Sequence, residues 1–432
     1  MTGALAPARG LPEETLRALA AGGGGEDAAR VLRAGQDARR LLLLRGLLDA
    51  AEPGPHGPAA LTAWRVLTDV RRRAPTVFAA VVGYPSVGPA ARRALRQAMQ
   101  GDPSEAPSLL CALATTAALR ANLRTTLTIP LTSPHLTLPS AGTLTLPPMP
   151  PGTLLEAHTG NGAEIRLSPT RPNTTPPTPT PTTPETSTPG PAAPGVGGTW
   201  ASEVGGTWAF GWAPVRALSA GEGGEGITVV LDETDPDRMP GGALRAARMT
   251  AAEAARFGAL LEDAWALLLR RHWTVAAEAR VLLRAFTVLD APHGRSTSGT
   301  PRHASGMVGL SPPVDAPGLA ETIAHEIQHT KLNAVLDHHA LTGPDDGARY
   351  RVPWRPDPRP LLPALHGVYA HLGVAGFWRR ERRSGPRAEA AYTRWRAAAH
   401  SAALELAESP SLTPEGRLLL KGTTTTLASW TP

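Results

Sequence analysis

Apolar residues recur at helical spacing through residues 11–125: Leu32, Ala38, Leu41, Leu42 and Leu48 in one stretch, Leu61, Trp64, Leu67 and Val70 in the next. Steps of three and four residues put such positions on one face of a helix, so residues 1–124 are predicted to form a helical amino-terminal region. Gly22–Gly25 and Pro53–Pro58 punctuate it, as breakers do between helices. A Gly-Tyr-Pro-Ser-Val-Gly-Pro break at 83–89 precedes a helix over Ala90–Met99, and Ser104 with the acid after it opens another leading into Leu109–Leu123. From there the period drops to two. Leu127–Leu131, Leu136–Leu138, Leu144–Leu146 and Glu164–Leu167 alternate apolar with polar residues between Pro and Gly, which predicts a small antiparallel sheet over 125–167. Residues 168–198 are a Pro/Thr tract with almost nothing to bury, expected to be a disordered or polyproline-like linker or insertion. A Gly-Gly-Thr-Trp duplication at 197–200 and 205–208 is too brief to mark an architectural repeat.

The last region, 199–432, returns to globular patterning. Gly226–Asp232 reads as a strand. Thr250 and Glu253 form a capping box ahead of Phe257, Leu260, Leu261, Trp265 and Leu268. A further segment runs Thr274–Leu289, Ser305–Leu310 reads as a strand, and Pro317–Leu336 reads as a long helix. A loop follows, then helical segments to about Glu408, among them Leu361–Phe377. The fold class expected is α+β, mainly helical, with its chemistry on the long helix of the carboxy-terminal half.

Composition narrows the classes. Gly 44 and Pro 45 make about a fifth of the 432 residues, matching a chain with linker content. A single cysteine, Cys111, excludes an intrachain disulfide and any cysteine-built metal cluster, and a reducing, cytoplasmic setting is expected. The first residues show no basic segment followed by an apolar one, so no secretory signal is expected. Apolar runs fall far short of the roughly 20 residues that span a bilayer, and no membrane partner is expected. Net charge is +6, yet the arginines are scattered among acids, and the basic stretch Arg379–Arg396 is interrupted by Glu381 and Glu389. No nucleic-acid partner is expected.

His325-Glu326-Ile327-Gln328-His329 lies inside the long helix. Two histidines one turn apart share a face and can reach one metal ion, and the glutamate between them lies near the open coordination position. Ile323, Ile327 and Leu332 make the flanking face apolar. The third ligand is not obvious. Leu332 and Val335 stand where a metzincin needs Gly and His, and no glutamate occurs between Glu326 and Glu381, as a gluzincin would need. His366 is the first candidate and His371 the alternative; five apart, they lie about 140° apart round a helix and cannot both face one ion. His338 and His339, at the frayed helix end, are expected to be solvated. An all-histidine set is unusual for a peptidase and suits Fe(II) oxygen chemistry. Such chemistry also needs a cation for the far carboxylate of a 2-oxoacid. Arg355 and Arg359, in a Pro-braced loop beside Trp354, are the candidates, with Asp357 a competing partner for one of them. Ser305 is read as a structural hydroxyl.

The run HEIQHTKLNAVLD, then YRVPWRPDPRP, then LHGVYAHLGVAGFW resembles the HExxH-type peptide beta-hydroxylases of RiPP gene clusters. The likeness extends through Val229–Arg238, Thr250–Leu269 and Ser305–Pro313; the Pro/Thr tract departs from it. It implies an Fe(II)- and 2-oxoglutarate-dependent dioxygenase that uses O2 to hydroxylate beta carbons of a ribosomally made precursor peptide. His325 and His329 carry over as metal ligands, His366 or His371 as the third, Arg355 or Arg359 as the 2-oxoglutarate cation. Glu326 becomes a catalytic-site residue outside the ligand set. The competing expectation is a zinc metallopeptidase with Glu326 as base.

Overall fold

The helical spacing early in the chain is realised as α1 (Glu13–Ala20), α2 (Gly25–Ala51), α3 (Gly57–Arg73), α4 (Pro75–Val82), α5 (Val87–Met99) and α6 (Glu105–Arg120). Pro58 and Pro75 fall in the first turns of α3 and α4, where a missing N–H costs nothing and φ is already helical. The alternating stretch becomes β1 (Thr125–Pro130), β2 (His135–Leu138), β3 (Gly142–Thr145), β4 (Leu154–Thr159) and β5 (Ile165–Pro169), joined by β6 (Gly211–Pro214). These strands form two antiparallel sheets, ordered β1-β4-β5 and β2-β3-β6, where one was expected. β4 escaped the sequence pattern because two of its three buried residues are Ala157 and Thr159, which give little apolar signal.

This computed structural model describes residues 10–146, 149–150, 152–160, 165–169, 211–291 and 296–431. Beyond residue 169 the Pro/Thr tract lies outside them, as does the Gly-Gly-Thr-Trp duplication. Among the described residues no helix is long and apolar enough to cross a membrane.

The chain divides into two compact units, Arg40–Val215 and a second made of Met1–Arg39 with Arg216–Pro432. The division therefore falls within α2 and after β6, away from the expected boundaries at 124 and 198. Leu16, Leu19 and Leu32 explain why, because they are buried with residues of the carboxy-terminal helices.

The second unit adds β7 (Arg216–Ala220), β8 (Ile227–Leu231), α7 (Ala251–Arg271), α8 (Trp273–Leu282), β9 (Ala285–Val288), β10 (Ser298–Gly299) and β11 (Met307–Leu310). After these come α9 (Ala316–Val335), α10 (Leu361–Glu381), α11 (Pro386–Ala407) and α12 (Pro414–Ser429). The capping box forms as read: Thr250 accepts from the Glu253 N–H and Glu253 accepts from the Thr250 N–H. The sheet order is β10-β11-β9-β8-β7, with β9 parallel to both β8 and β11 and the outer strands antiparallel. Parallel neighbours need a crossover, and α7 with α8 supplies it between β8 and β9. All four residues of β9 are buried, so it shows no alternation to read.

α9 is shared by two apolar clusters. Ile323 and Ile327 pack with Phe257, Trp265 and Phe286 of α7 and the sheet. Leu332 and Val335 pack with Leu365, Val368, Tyr369 and Leu372 of α10. α9 and α10 approach closely at Gly373, where a Cβ would lie 2.6 Å from Gln328 Cγ and 2.9 Å from the Ala324 carbonyl oxygen. Gly373→Ala is expected to cost about 1–3 kcal/mol by overpacking, read as a lower urea midpoint at unchanged slope.

One polar assembly holds α9 from within. The Lys331 ammonium, fully buried, reaches both oxygens of the buried Glu278 carboxylate, at 3.0 and 2.9 Å. It also donates to the carbonyls of Gly22 and Gly23, each at 3.0 Å, while the Gly25 N–H donates to Glu278 at 3.1 Å. Gly22 sits at φ +83°, and a Cβ there would strike Leu372. Only glycine makes this turn without strain.

Candidate functional site

Asp315 caps α9, its carboxylate accepting from the Gly318 N–H at 2.8 Å. Past Pro317 and Gly318 in its first turn the helix runs on without a breaker. His325 and His329 lie one turn apart with ring centroids 4.9 Å apart, edge to face, as the spacing required. Glu326, the next position round the helix, is buried. Its carboxylate accepts from Ser298 Oγ at 2.7 Å on one oxygen and from Thr300 Oγ1 at 2.7 Å on the other. The first oxygen is also 3.8 Å from His325 Nε2. Ser298 and Thr300 were not singled out from the sequence. A two-residue step puts them on one face of an extended segment, and the hydroxyl-rich run Ser296–Thr300 was the signal available.

α10 supplies the two further imidazoles, each to a different member of the pair. His366 contacts His329 with centroids 5.7 Å apart and nearly parallel rings. His371 contacts His325 edge to face at 5.3 Å. The roughly 140° between them on the helix thus sends them to opposite ends of the α9 pair. His371 is the more firmly set: it stacks on Trp354 at 4.1 Å and lies beside Trp395 at 4.9 Å. Its Nδ1 lies 2.8 Å from the Gly367 carbonyl. A carbonyl can only accept, so Nδ1 carries the proton and Nε2 keeps its lone pair.

Burial pulls all four imidazoles down, His325 and His329 to about 3 and His366 and His371 to about 4. The neighbouring imidazoles add to the effect at His325 and His329, as Arg302 does at His366 and Arg394 at His371. All four are therefore neutral near pH 7, the form in which imidazole binds metal. The ring contacts form a string, 366–329–325–371. Among the described residues, no three His, Cys, Asp or Glu side chains are arranged to hold a metal ion. The donor set suits a divalent metal in kind, its rings meeting pairwise and not about one point.

The Pro-braced loop behaves otherwise than expected. Arg355 Nε and Arg359 Nη1 donate to the two oxygens of the same carboxylate, Asp357, at 3.1 and 2.8 Å. Both guanidiniums are substantially exposed, at 50% and 36%. Reciprocal backbone bonds between Tyr350 and Arg359 close the loop. The loop reaches the histidines through Trp354, not through its arginines. Among the described residues, the arginines that lower these imidazoles are Arg302, which also donates to Asp337 at 2.6 Å, and Arg394, which lies over Trp395 at 4.6 Å. Sequence spacing singled out neither, because one precedes the motif and the other follows it on a different element. Ser305 falls in the turn before β11. His339 is half-buried and accepts the Leu11 N–H at 3.0 Å, so the helix end is less solvated than expected.

The chain matches no protein-family model, and no curated protein is similar to it.

Proposed function

We propose that the chain is an Fe(II)- and 2-oxoglutarate-dependent dioxygenase that hydroxylates beta carbons of a ribosomally made peptide. The observation that supports this over zinc-dependent hydrolysis is the state of the motif. Four neutral imidazoles meet in a partly buried string, while both oxygens of Glu326 are occupied by Ser298 and Thr300. A hydrolytic base needs a carboxylate oxygen turned to water; here the carboxylate is anchored by two hydroxyls and braces the helix beside His325. The ligands proposed are His325, His329 and His371. His371 takes precedence over His366 because the Gly367 carbonyl holds its Nδ1–H and leaves Nε2 as the donor, the usual support for a metal-bound histidine.

Bound there, iron with 2-oxoglutarate and O2 supplies the oxidation that replaces C–H by C–OH, with succinate and CO2 as co-products. The chain's own part is orientation. Trp354 and Trp395 fix the His371 ring, and the packing of Ile323 and Ile327 keeps water from the buried side of α9. The cation for the far carboxylate of the co-substrate is proposed to be Arg394, near the ligand His371, before Arg355 and Arg359, which are committed to Asp357, and Arg302, which is committed to Asp337.

The test is incubation of the full chain in air with Fe(II) and 2-oxoglutarate, with succinate read directly, followed by addition of a peptide library read by mass spectrometry. Succinate release and a peptide mass gain of one oxygen atom are expected. Peptide cleavage supported by zinc, with no succinate formed under iron, overturns the proposal in favour of a metallopeptidase.

A further inference from the structure

Next to the motif lies a cavity of about 290 Å³, walled by the 296–298 segment, the end of β11 and the first turns of α9. Ser298 belongs to both places: it lines the cavity and its hydroxyl binds Glu326. The volume is near the lower end of the ~300–1,000 Å³ of small-molecule pockets, a size for one side chain. Its wall is of two kinds. Leu310, Pro312, Pro313 and Leu319 give an apolar flank. Asp315, Glu321, Ser311 and Thr322 line it as well. Among the described residues lining it there is no lysine, arginine or histidine.

Glu321 sits one turn before His325 on α9, and its carboxylate accepts from the Trp378 indole N–H at 2.7 Å, which fixes its position. Burial, and secondarily the nearby Asp315 carboxylate, push Glu321 up, against the pull of that hydrogen bond. Two carboxylates facing one small space repel, and a cation between them relieves the repulsion. Long basic side chains lay their methylenes on apolar surface and keep the charged head among oxygens, and this wall offers residues of both kinds.

We propose that this cavity is a specificity subsite that takes a lysine or arginine side chain of the peptide substrate, seated between Asp315 and Glu321, with the adjoining peptide passing Ser298 toward His325. The inference rests on the peptide-modifying reading above and narrows it to peptides with a basic residue close to the modified one.

The test is ligand-observed NMR with the full chain, kept metal-free by a chelator, and three N-acetylated, C-amidated peptides Ala-Ala-X-Ala-Ala. X is lysine, norleucine or glutamate. The lysine peptide is expected to bind about tenfold more tightly than the norleucine peptide, the scale of one charge-assisted hydrogen bond, and the glutamate peptide more weakly still. Glu321→Gln keeps the oxygen that Trp378 needs, and Asp315→Asn keeps a helix cap; each is expected to shrink the preference several-fold. Equal binding of lysine and norleucine, no detectable binding of the lysine peptide at millimolar concentration, or an undiminished preference in both variants overturns the proposal. The assay contains no metal. Lysine preference in a chain that makes no succinate removes the hydroxylase reading and leaves the subsite, whereas succinate formation without lysine preference does the reverse.

Discussion

Lys331→Met is expected to destabilise the protein by about 3–5 kcal/mol, the cost of stripping one partner from a buried ion pair. The ammonium is fully buried and holds the Glu278 carboxylate and the Gly22 and Gly23 carbonyls together. Burial pulls Lys331 down and raises Glu278, and their mutual attraction opposes both shifts. Removing the lysine leaves, among the described residues, a carboxylate with the Gly25 N–H as its remaining donor. Urea unfolding of the single variants and of Lys331→Met with Glu278→Leu checks this. The double variant is expected to recover much of the loss, since an apolar pair of similar volume leaves no orphaned charge. Equal losses in the single and double variants would mean that packing, not charge, sets the cost.

Alanine at His325, His329 or His371 is expected to weaken iron uptake by more than about a hundredfold, because even the outer partners of metal ligands are worth about 10–100-fold. Alanine at His366 is expected to leave uptake within a few-fold of the native chain. Metal content after dialysis against Fe(II) under anaerobic conditions gives the readout, with succinate formation in parallel. Loss at His366 with retention at His371 would reverse the assignment of the third ligand. Full uptake in the His325 and His329 variants would end the metal reading altogether.

How far the sequence could be read depended on how each residue signals. α7 and α9 were legible, with their caps or their apolar stripes, because periodicity and capping are local. β9 was not, since all its residues face inward and its parallel partners lie far along the chain. α12 carries Leu419, Leu420 and Leu427 among threonines, too sparse a stripe to stand out. Within the site, the His pair follows from helix geometry alone. Arg355 and Arg359 illustrate the opposite case: spacing offered two cations for a ligand, and the Asp357 between them took both. Ser298 and Thr300 reach the motif, and Arg302 and Arg394 the α10 histidines, through tertiary packing, which no local pattern encodes.

The two glycine carbonyls that receive Lys331 also bear on how the chain is made. The Tyr369 hydroxyl donates to the Leu19 carbonyl across 350 positions, and the Thr423 hydroxyl to the Ala20 carbonyl across 403. The turn that holds these carbonyls is therefore made some 350 to 400 positions before its partners on α10 and α12. Contacts of such long range close slowly, and apolar residues such as Leu16, Leu19 and Leu32 stay uncovered in the meantime. A nascent chain of this kind is a natural client for chaperones. An expression fragment beginning at Arg216 would lack the turn that accepts Lys331, and it should be recovered as aggregate, not as a working half.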